Sequence, residues 1–121
     1  MYWDTAYNFT TGSKGRSISD TGYYADFLKF NGTDSFKLQL EKGEKIHLDA
    51  HISKGKVDFR FAKAGEKMGI NIKNITDEET DFTAYETGRY TVTIKAKHAK
   101  GEIKVSFDEN RKDKTVYNTS F

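Results

Sequence analysis

The chain contains no cysteine and no proline. Without cysteine it has no disulfide bonds, no thiolate metal site and no cysteine nucleophile. Average usage of about 5% predicts roughly six prolines in a chain of this length, so their absence is unusual, and it excludes a cis-proline turn. Long hydrophobic runs are also absent, because no apolar segment approaches the roughly 18 residues of a membrane-spanning helix.

The chain has little excess charge. Its 121 residues include 20 lysines and arginines against 18 aspartates and glutamates, a formal net charge of +2. This balance speaks against nucleic acid as a partner, since nucleic-acid-binding domains carry a basic excess. Aromatic residues make up 14% of the chain, which is typical of a folded domain. The length fits a single domain, residues 1–121.

Alternation of apolar and polar residues dominates the sequence and indicates β-strands. Glycine-containing polar segments interrupt the alternation every 8–12 residues, which predicts an antiparallel β-sandwich of jelly-roll or Greek-key type with about seven to nine strands. Residues 10–22 are predicted to form a mobile loop, residues 108–114 a solvated turn, and residues 115–121 an edge strand or a tail. Around Phe27 and Leu28 the alternation breaks, so a bulge or a short helical turn is expected there. The predicted core consists of Phe36, Leu38, Leu40, Ile46, Leu48, Ile52, Val57, Phe59, Phe61, Ile70, Ile72, Phe82, Tyr90, Val92, Ile94, Ile103, Val105 and Phe107.

A pattern repeats within the chain at an offset of 46 residues. The segment from Ile46 to Phe61 and the segment from Val92 to Phe107 both consist of an alternating run, a Lys-Gly pair and a second alternating run. Glycine tolerates the positive φ that tight turns require. The repeat therefore predicts two similar hairpins.

The stretch from Phe36 to Phe107 resembles the small β-sandwich domains of secreted proteins and lipoproteins of Gram-positive bacteria. The resemblance lies in the segments LQLEKGEKIHL, ISKGKVDFRF and TGRYTVTIKAKHAKGEIKVSF, and in the acidic, phenylalanine-containing loop between the last two. It implies an extracellular or cell-surface location and a non-catalytic role. We expect the domain to bind or pack against another macromolecule, a protein or a cell-wall polymer. No residue with an assigned chemistry is implied by the resemblance.

Two groups of residues are candidate ligand-binding surfaces. Aromatic side chains near the N-terminus could stack on sugar rings, which makes a carbohydrate-binding module the alternative function. Lysines around the second Lys-Gly pair could meet an anionic polymer, although lysine on strands also protects against aggregation. The aromatic candidates are Trp3, Tyr7, Tyr23 and Tyr24, and the basic patch is Lys95, Lys97, Lys100 and Lys104.

Two further clusters contain residue types that bind metal ions, but neither has the spacing of a metal-binding site. His47, Asp49 and His51 share one face of a strand, but the strand rise places the two histidines about 13 Å apart, too far to share one zinc ion. Asp49 is instead expected to raise the pKa of its histidine neighbours. The acidic run between Asp77 and Asp81 lacks the spacing of a calcium loop and is predicted to be a solvated loop. With no enzyme motif either, we expect no cofactor, no metal and no catalysis.

Overall fold

A computed structural model describes residues 15–65, 69–113 and 116–118 of the chain. Every regular element in this part is a β-strand, and the seven strands confirm the predicted antiparallel β-sandwich. None of the described residues forms a helix long and apolar enough to cross a membrane. The strands are β1 (Gly15–Ile18), β2 (Gly22–Leu40), β3 (Lys45–Lys63), β4 (Ile70–Ile72), β5 (Asp77–Thr83), β6 (Gly88–Phe107) and β7 (Val116–Asn118).

Three long strands run through the whole molecule. β6 lies between β2 and β3 and pairs antiparallel with both over nearly its full length. The register shifts between Phe27 and Gly32 of β2 and between Ile52 and Lys56 of β3. Such bulges bend a strand, and here they lie beside each other. The three strands therefore bend together, and the continuous sheet folds into two layers.

The short strands extend these layers at their edges. We call one layer sheet A: β1, the first half of β2, the second half of β6, the first half of β3, and β5. We call the other sheet B: β7, the second half of β2, the first half of β6, the second half of β3, and β4. Each long strand thus contributes one half to each sheet.

Aromatic rings from the two sheets meet in the core. Phe36 of sheet B stacks on Tyr23 of sheet A at 5.1 Å between ring centroids and contacts Phe107 of sheet A at 5.7 Å. Phe82 of sheet A contacts Phe59 and Phe61 of sheet B at 5.3 and 5.5 Å. Contacts of this kind favour packing beyond the burial of their area, and they hold the layers face to face.

The predicted core is largely confirmed, with one error and several omissions. Ile70 is 48% exposed, because β4 is a three-residue strand at the edge of its sheet and no described strand pairs with its outer side, and Ile72 is only partly buried. The core also contains residues that the predicted core omitted. These are Tyr23, Ala25, Phe27, Phe30, Ala50, Ile75, Ala84 and Ala99.

The Lys-Gly pairs of the repeat do not form hairpin turns. Each repeat segment lies within one continuous strand, β3 or β6, and its Lys-Gly pair lies at the bend. Gly55 and Gly101 have φ values of 79° and 152°, and a Cβ atom on either would lie within 2.2 Å of a backbone oxygen of the neighbouring strand. The glycines are therefore required for close approach between strands at the bend. The two repeat segments pair with each other, so equivalent residues Lys54 and Lys100 lie directly opposite.

The segments between strands also differ from expectation. Part of the predicted loop at 10–22 is strand β1, and residues 10–14 lie outside the described residues. The irregularity near Phe27 is a bulge rather than a helical turn, and residues 116–118 form edge strand β7.

The predicted solvated turn at 108–114 contains a buried side chain. Arg111 is 1% exposed. Its guanidinium lies 5.2 Å from the Phe107 ring centroid and donates hydrogen bonds to the carbonyl oxygens of Gln39, Asp113 and Asp20. Burial lowers the pKa of Arg111. Arg111 therefore links the end of β2, the segment between β1 and β2, and the segment that follows β6 at one end of the sandwich.

Candidate functional site

The two sheets present outer faces of opposite charge. Among the strand residues whose side chains the structure describes, the outward-facing ones of sheet A include six carboxylates against two lysines, Lys45 and Lys104. The corresponding residues of sheet B include six basic side chains against one carboxylate, Asp58. The carboxylates of sheet A are Asp26, Asp49, Asp77, Glu79, Asp81 and Glu102. The basic side chains of sheet B are Lys37, Lys56, Arg60, Arg89, Lys95 and Lys97. The net charge of +2 therefore conceals a marked separation of charge across the molecule.

His47 lies on the acidic face between two carboxylates of β5. Its Nδ1 is 2.5 Å from Asp81 and its Nε2 is 3.2 Å from Glu79. The hydrogen bond with Asp81 is the main cause that raises the pKa of His47; desolvation opposes it, and the hydrogen bond with Glu79 adds to it.

His51 is held in the same way. Its Nδ1 is 2.9 Å from Asp77 of β5 and its Nε2 is 3.0 Å from Asp49 on its own strand. The hydrogen bond with Asp77 is the main cause that raises the pKa of His51, and the charges of Asp49, Asp77 and Glu102 add to it against the opposing effect of desolvation. Asp49 thus contributes to the raised pKa of His51, as expected, but the larger contribution comes from Asp77 on β5.

These contacts change the interpretation of both metal candidates. The acidic run at 77–81 is not a loop, since Asp77–Thr83 forms edge strand β5, paired with β3 from Lys45 to His51. His47 and His51 each direct both ring nitrogens at carboxylates. Within the described residues, no group of three histidine, aspartate or glutamate side chains is arranged to hold a metal ion.

A groove of about 460 Å³ runs across the outer face of sheet B. Arg60 Nη1 donates a hydrogen bond to Asn71 Oδ1 over 3.4 Å, and Asp58 Oδ1 accepts one over 3.0 Å from the backbone N–H of Asn74. These contacts orient the walls of a concave polar surface. The groove is lined by Asp58, Phe59, Arg60, Asn71, Lys73, Thr93 and Lys95.

Four exposed lysines continue the basic face to the bend. Lys56 lies directly opposite Lys97 in the β3–β6 register, and Lys54 lies directly opposite Lys100. Like charges directly opposite each other on neighbouring strands are destabilising. We call these four residues the bend lysines.

The predicted basic patch is divided by the fold. Lys95 lies in the groove and Lys97 and Lys100 at the bend, but Lys104 is on sheet A, directly opposite Asp49. Sequence reasoning missed Lys54, which the 46-residue repeat would have identified as the equivalent of Lys100. Also missed were Lys56, Arg60 and Lys73, for which no local signal exists because the pairing of β3 with β4 and with β6 brings them to one surface.

The aromatic candidates do not form a surface in the described residues. Trp3 and Tyr7 lie outside them. Tyr23 is 1% exposed, since it faces the core, where its hydroxyl donates a hydrogen bond to buried Asp34 Oδ2 over 2.7 Å. Its ring is therefore not available to a ligand, contrary to the prediction. Tyr24 is 38% exposed and donates a hydrogen bond to Glu102 on the acidic face over 3.0 Å.

Comparison with known proteins finds likeness in structure alone. No family model matches the chain, and no curated protein matches it significantly. Among solved structures, it is similar to PliG of Aeromonas hydrophila, a periplasmic inhibitor of g-type lysozyme, with a TM-score of 0.50 and 13% identity over 83% of this chain and 91% of that one. It is also similar to TmCBM61, solved with β-1,4-galactotriose, with a TM-score of 0.44 and 13% identity over 97% of this chain and 90% of that one. At such identities the likeness to PliG concerns the fold.

Proposed function

We propose that this chain is a non-catalytic binding module of a cell-surface or secreted protein, and that it binds another macromolecule through the outer face of sheet B. The observation that carries the proposal is the groove of about 460 Å³ in a face whose charge is opposite to that of the other sheet. Binding sites are commonly concave, with a few polar groups that fix the orientation of the ligand.

The chemistry of the groove supports binding rather than catalysis. General acid–base catalysis needs a positioned group that exchanges protons with the substrate. Among the described residues that line the groove, one is a carboxylate, Asp58, which accepts a hydrogen bond from the backbone of Asn74. His47 and His51 lie on the opposite face of the molecule, where their ring nitrogens contact carboxylates.

The proposed cell-surface or secreted location of the protein rests on the resemblance of residues 36–107 to surface domains of Gram-positive bacteria. A periplasmic protein of similar fold, PliG, inhibits a lysozyme, so that protein uses the fold to bind a partner outside the cytoplasm. We extend this role to the present chain, with a protein or a cell-wall polymer as its partner.

Sedimentation with an insoluble Gram-positive cell-wall fraction tests the proposal. We expect the folded protein to sediment with the wall, and the double variant Arg60→Gln/Lys95→Gln to remain in the supernatant. The matched control is Lys45→Gln/Lys104→Gln, which removes the same charge from sheet A and should sediment like the unaltered protein. Circular dichroism verifies that each variant is folded. Failure of the unaltered protein to sediment, or equal loss in both variants, would refute the proposal.

A further inference from the structure

The basic surface is longer than the groove. Along β3, basic side chains extend from Arg60 in the groove through Lys56 to Lys54 at the bend. At about 3.3 Å per residue, these six steps span at most about 20 Å. Lys95, Lys97 and Lys100 follow the same course on the neighbouring strand. A surface of this length fits an extended chain better than a single small anion.

The positions of the bend lysines are electrostatically unfavourable in the free protein. Lys56 lies directly opposite Lys97 and Lys54 directly opposite Lys100, and the register of the described strands places no carboxylate directly opposite any of the four. An anion that lies between two such lysines adds two attractions that offset their mutual repulsion. The arrangement therefore costs stability in the free protein and favours a bound polyanion.

The neutral residues of the face indicate which polyanion fits. Outward-facing described side chains of sheet B include Ser35, Thr91, Thr93 and Asn71. Hydroxyl and amide groups placed between cations match a chain in which acidic groups alternate with hydroxyl groups.

We propose that the groove and the bend lysines together bind a linear acidic polysaccharide, a proposal that rests on the function proposed above. Its carboxylate or sulfate groups pair with the bend lysines and Lys95, and its hydroxyl groups bond with Thr93 and Asn71 in the groove. This assigns a glycan ligand to a basic sheet face rather than to aromatic side chains.

Fluorescence polarisation with labelled polymers tests the ligand class. The probes are oligogalacturonate, dextran sulfate, neutral dextran of the same length, and polyuridylate, each at low salt and at about 0.5 M salt, where charges are strongly screened. We expect both acidic polysaccharides to bind at low salt and high salt to weaken their binding. Neutral dextran and polyuridylate should bind at least tenfold more weakly at low salt.

Variants at the bend test where on the protein the polysaccharide binds. Lys56→Gln/Lys97→Gln should weaken binding of the acidic polysaccharides about fivefold to tenfold. Lys54→Gln/Lys100→Gln serves as a second variant in case the first does not fold. Lys45→Gln/Lys104→Gln, with the same change in net charge, should bind like the unaltered protein.

The results separate the two proposals. If the protein sediments with cell wall through sheet B but binds no acidic polysaccharide, the ligand class is wrong and the binding face stands. Polyuridylate bound as tightly as the acidic polysaccharides would also overturn the ligand class. Equal weakening by the bend variants and by the sheet A control would overturn the location. Absence of both wall binding and polysaccharide binding would overturn both proposals.

Discussion

Alanine at Gly55 tests whether the Lys-Gly pairs are strand bends. Gly43 offers a matched control because it also follows a lysine and has a similar φ, 93° against 79° at Gly55. The two sites differ in their surroundings. An added Cβ at Gly43 meets nothing within 4 Å, whereas at Gly55 it lies 2.2 Å from the carbonyl oxygen of His98 and 2.5 Å from that of Lys97.

The expected magnitudes follow from this difference. Alanine at positive φ costs about 1–2 kcal/mol at either position. At Gly55 the contact must also open from 2.2 Å to at least 3.4 Å, which separates β3 from β6 at the bend. If two ladder hydrogen bonds are lost, at about 1 kcal/mol each, the cost of Gly55→Ala rises to about 3–4 kcal/mol.

Urea unfolding of both variants measures the difference. We expect the free energy of unfolding to fall by about 2 kcal/mol more for Gly55→Ala than for Gly43→Ala, with similar dependence on denaturant concentration. Equal losses, within about 0.5 kcal/mol, would mean that Lys54-Gly55 is an open turn and would refute the bent-strand architecture.

Three further predictions concern buried polar groups and the acidic face. Arg111→Met should lower the free energy of unfolding, measured with urea, by roughly 3 kcal/mol because three backbone carbonyls lose their hydrogen-bond donors. A loss below about 1 kcal/mol would contradict this. Tyr23→Phe should cost about 1–3 kcal/mol by the same assay, since buried Asp34 loses the tyrosine hydroxyl; a neutral result contradicts this. The pKa values of His47 and His51 are raised in the folded protein, so their contribution to stability is complete below pH 6.5 and is lost as pH rises through the raised values. The melting temperature should therefore fall across that pH range, and fall less in the variant His47→Gln/His51→Gln; identical pH profiles would show that the two histidines do not contribute.

Local pattern was sufficient to predict the layers of the fold but not the path of the chain. Alternation identified the buried faces of β3 and β6, because period two determines which side chains point inward. A glycine after lysine fits both a hairpin turn and a bulged bend, and only the distant pairing of β6 with β3 decides between them. Ile70 was misassigned for a related reason, since its exposure depends on β4 being a short edge strand.

The candidate site could not be predicted from the sequence because it depends on which half of each strand lies in which sheet. Lys95 and Lys104 both point outward from β6, yet the bend between them places one on sheet B and the other on sheet A. A balanced net charge likewise conceals the separation, because composition carries no information about faces. Arg111 was missed because a polar segment predicts exposure, whereas its guanidinium is buried by bonding to backbone carbonyls.

An NMR titration of ¹⁵N-labelled protein with oligogalacturonate tests the central claim, that the outer face of sheet B is the binding face. The account predicts amide shift changes concentrated at Asp58–Arg60, Asn71–Lys73 and Thr93–Lys97, with the outer face of sheet A unchanged. Shift changes concentrated at His47–His51 and Asp77–Asp81, or at the N-terminal aromatics, would contradict it.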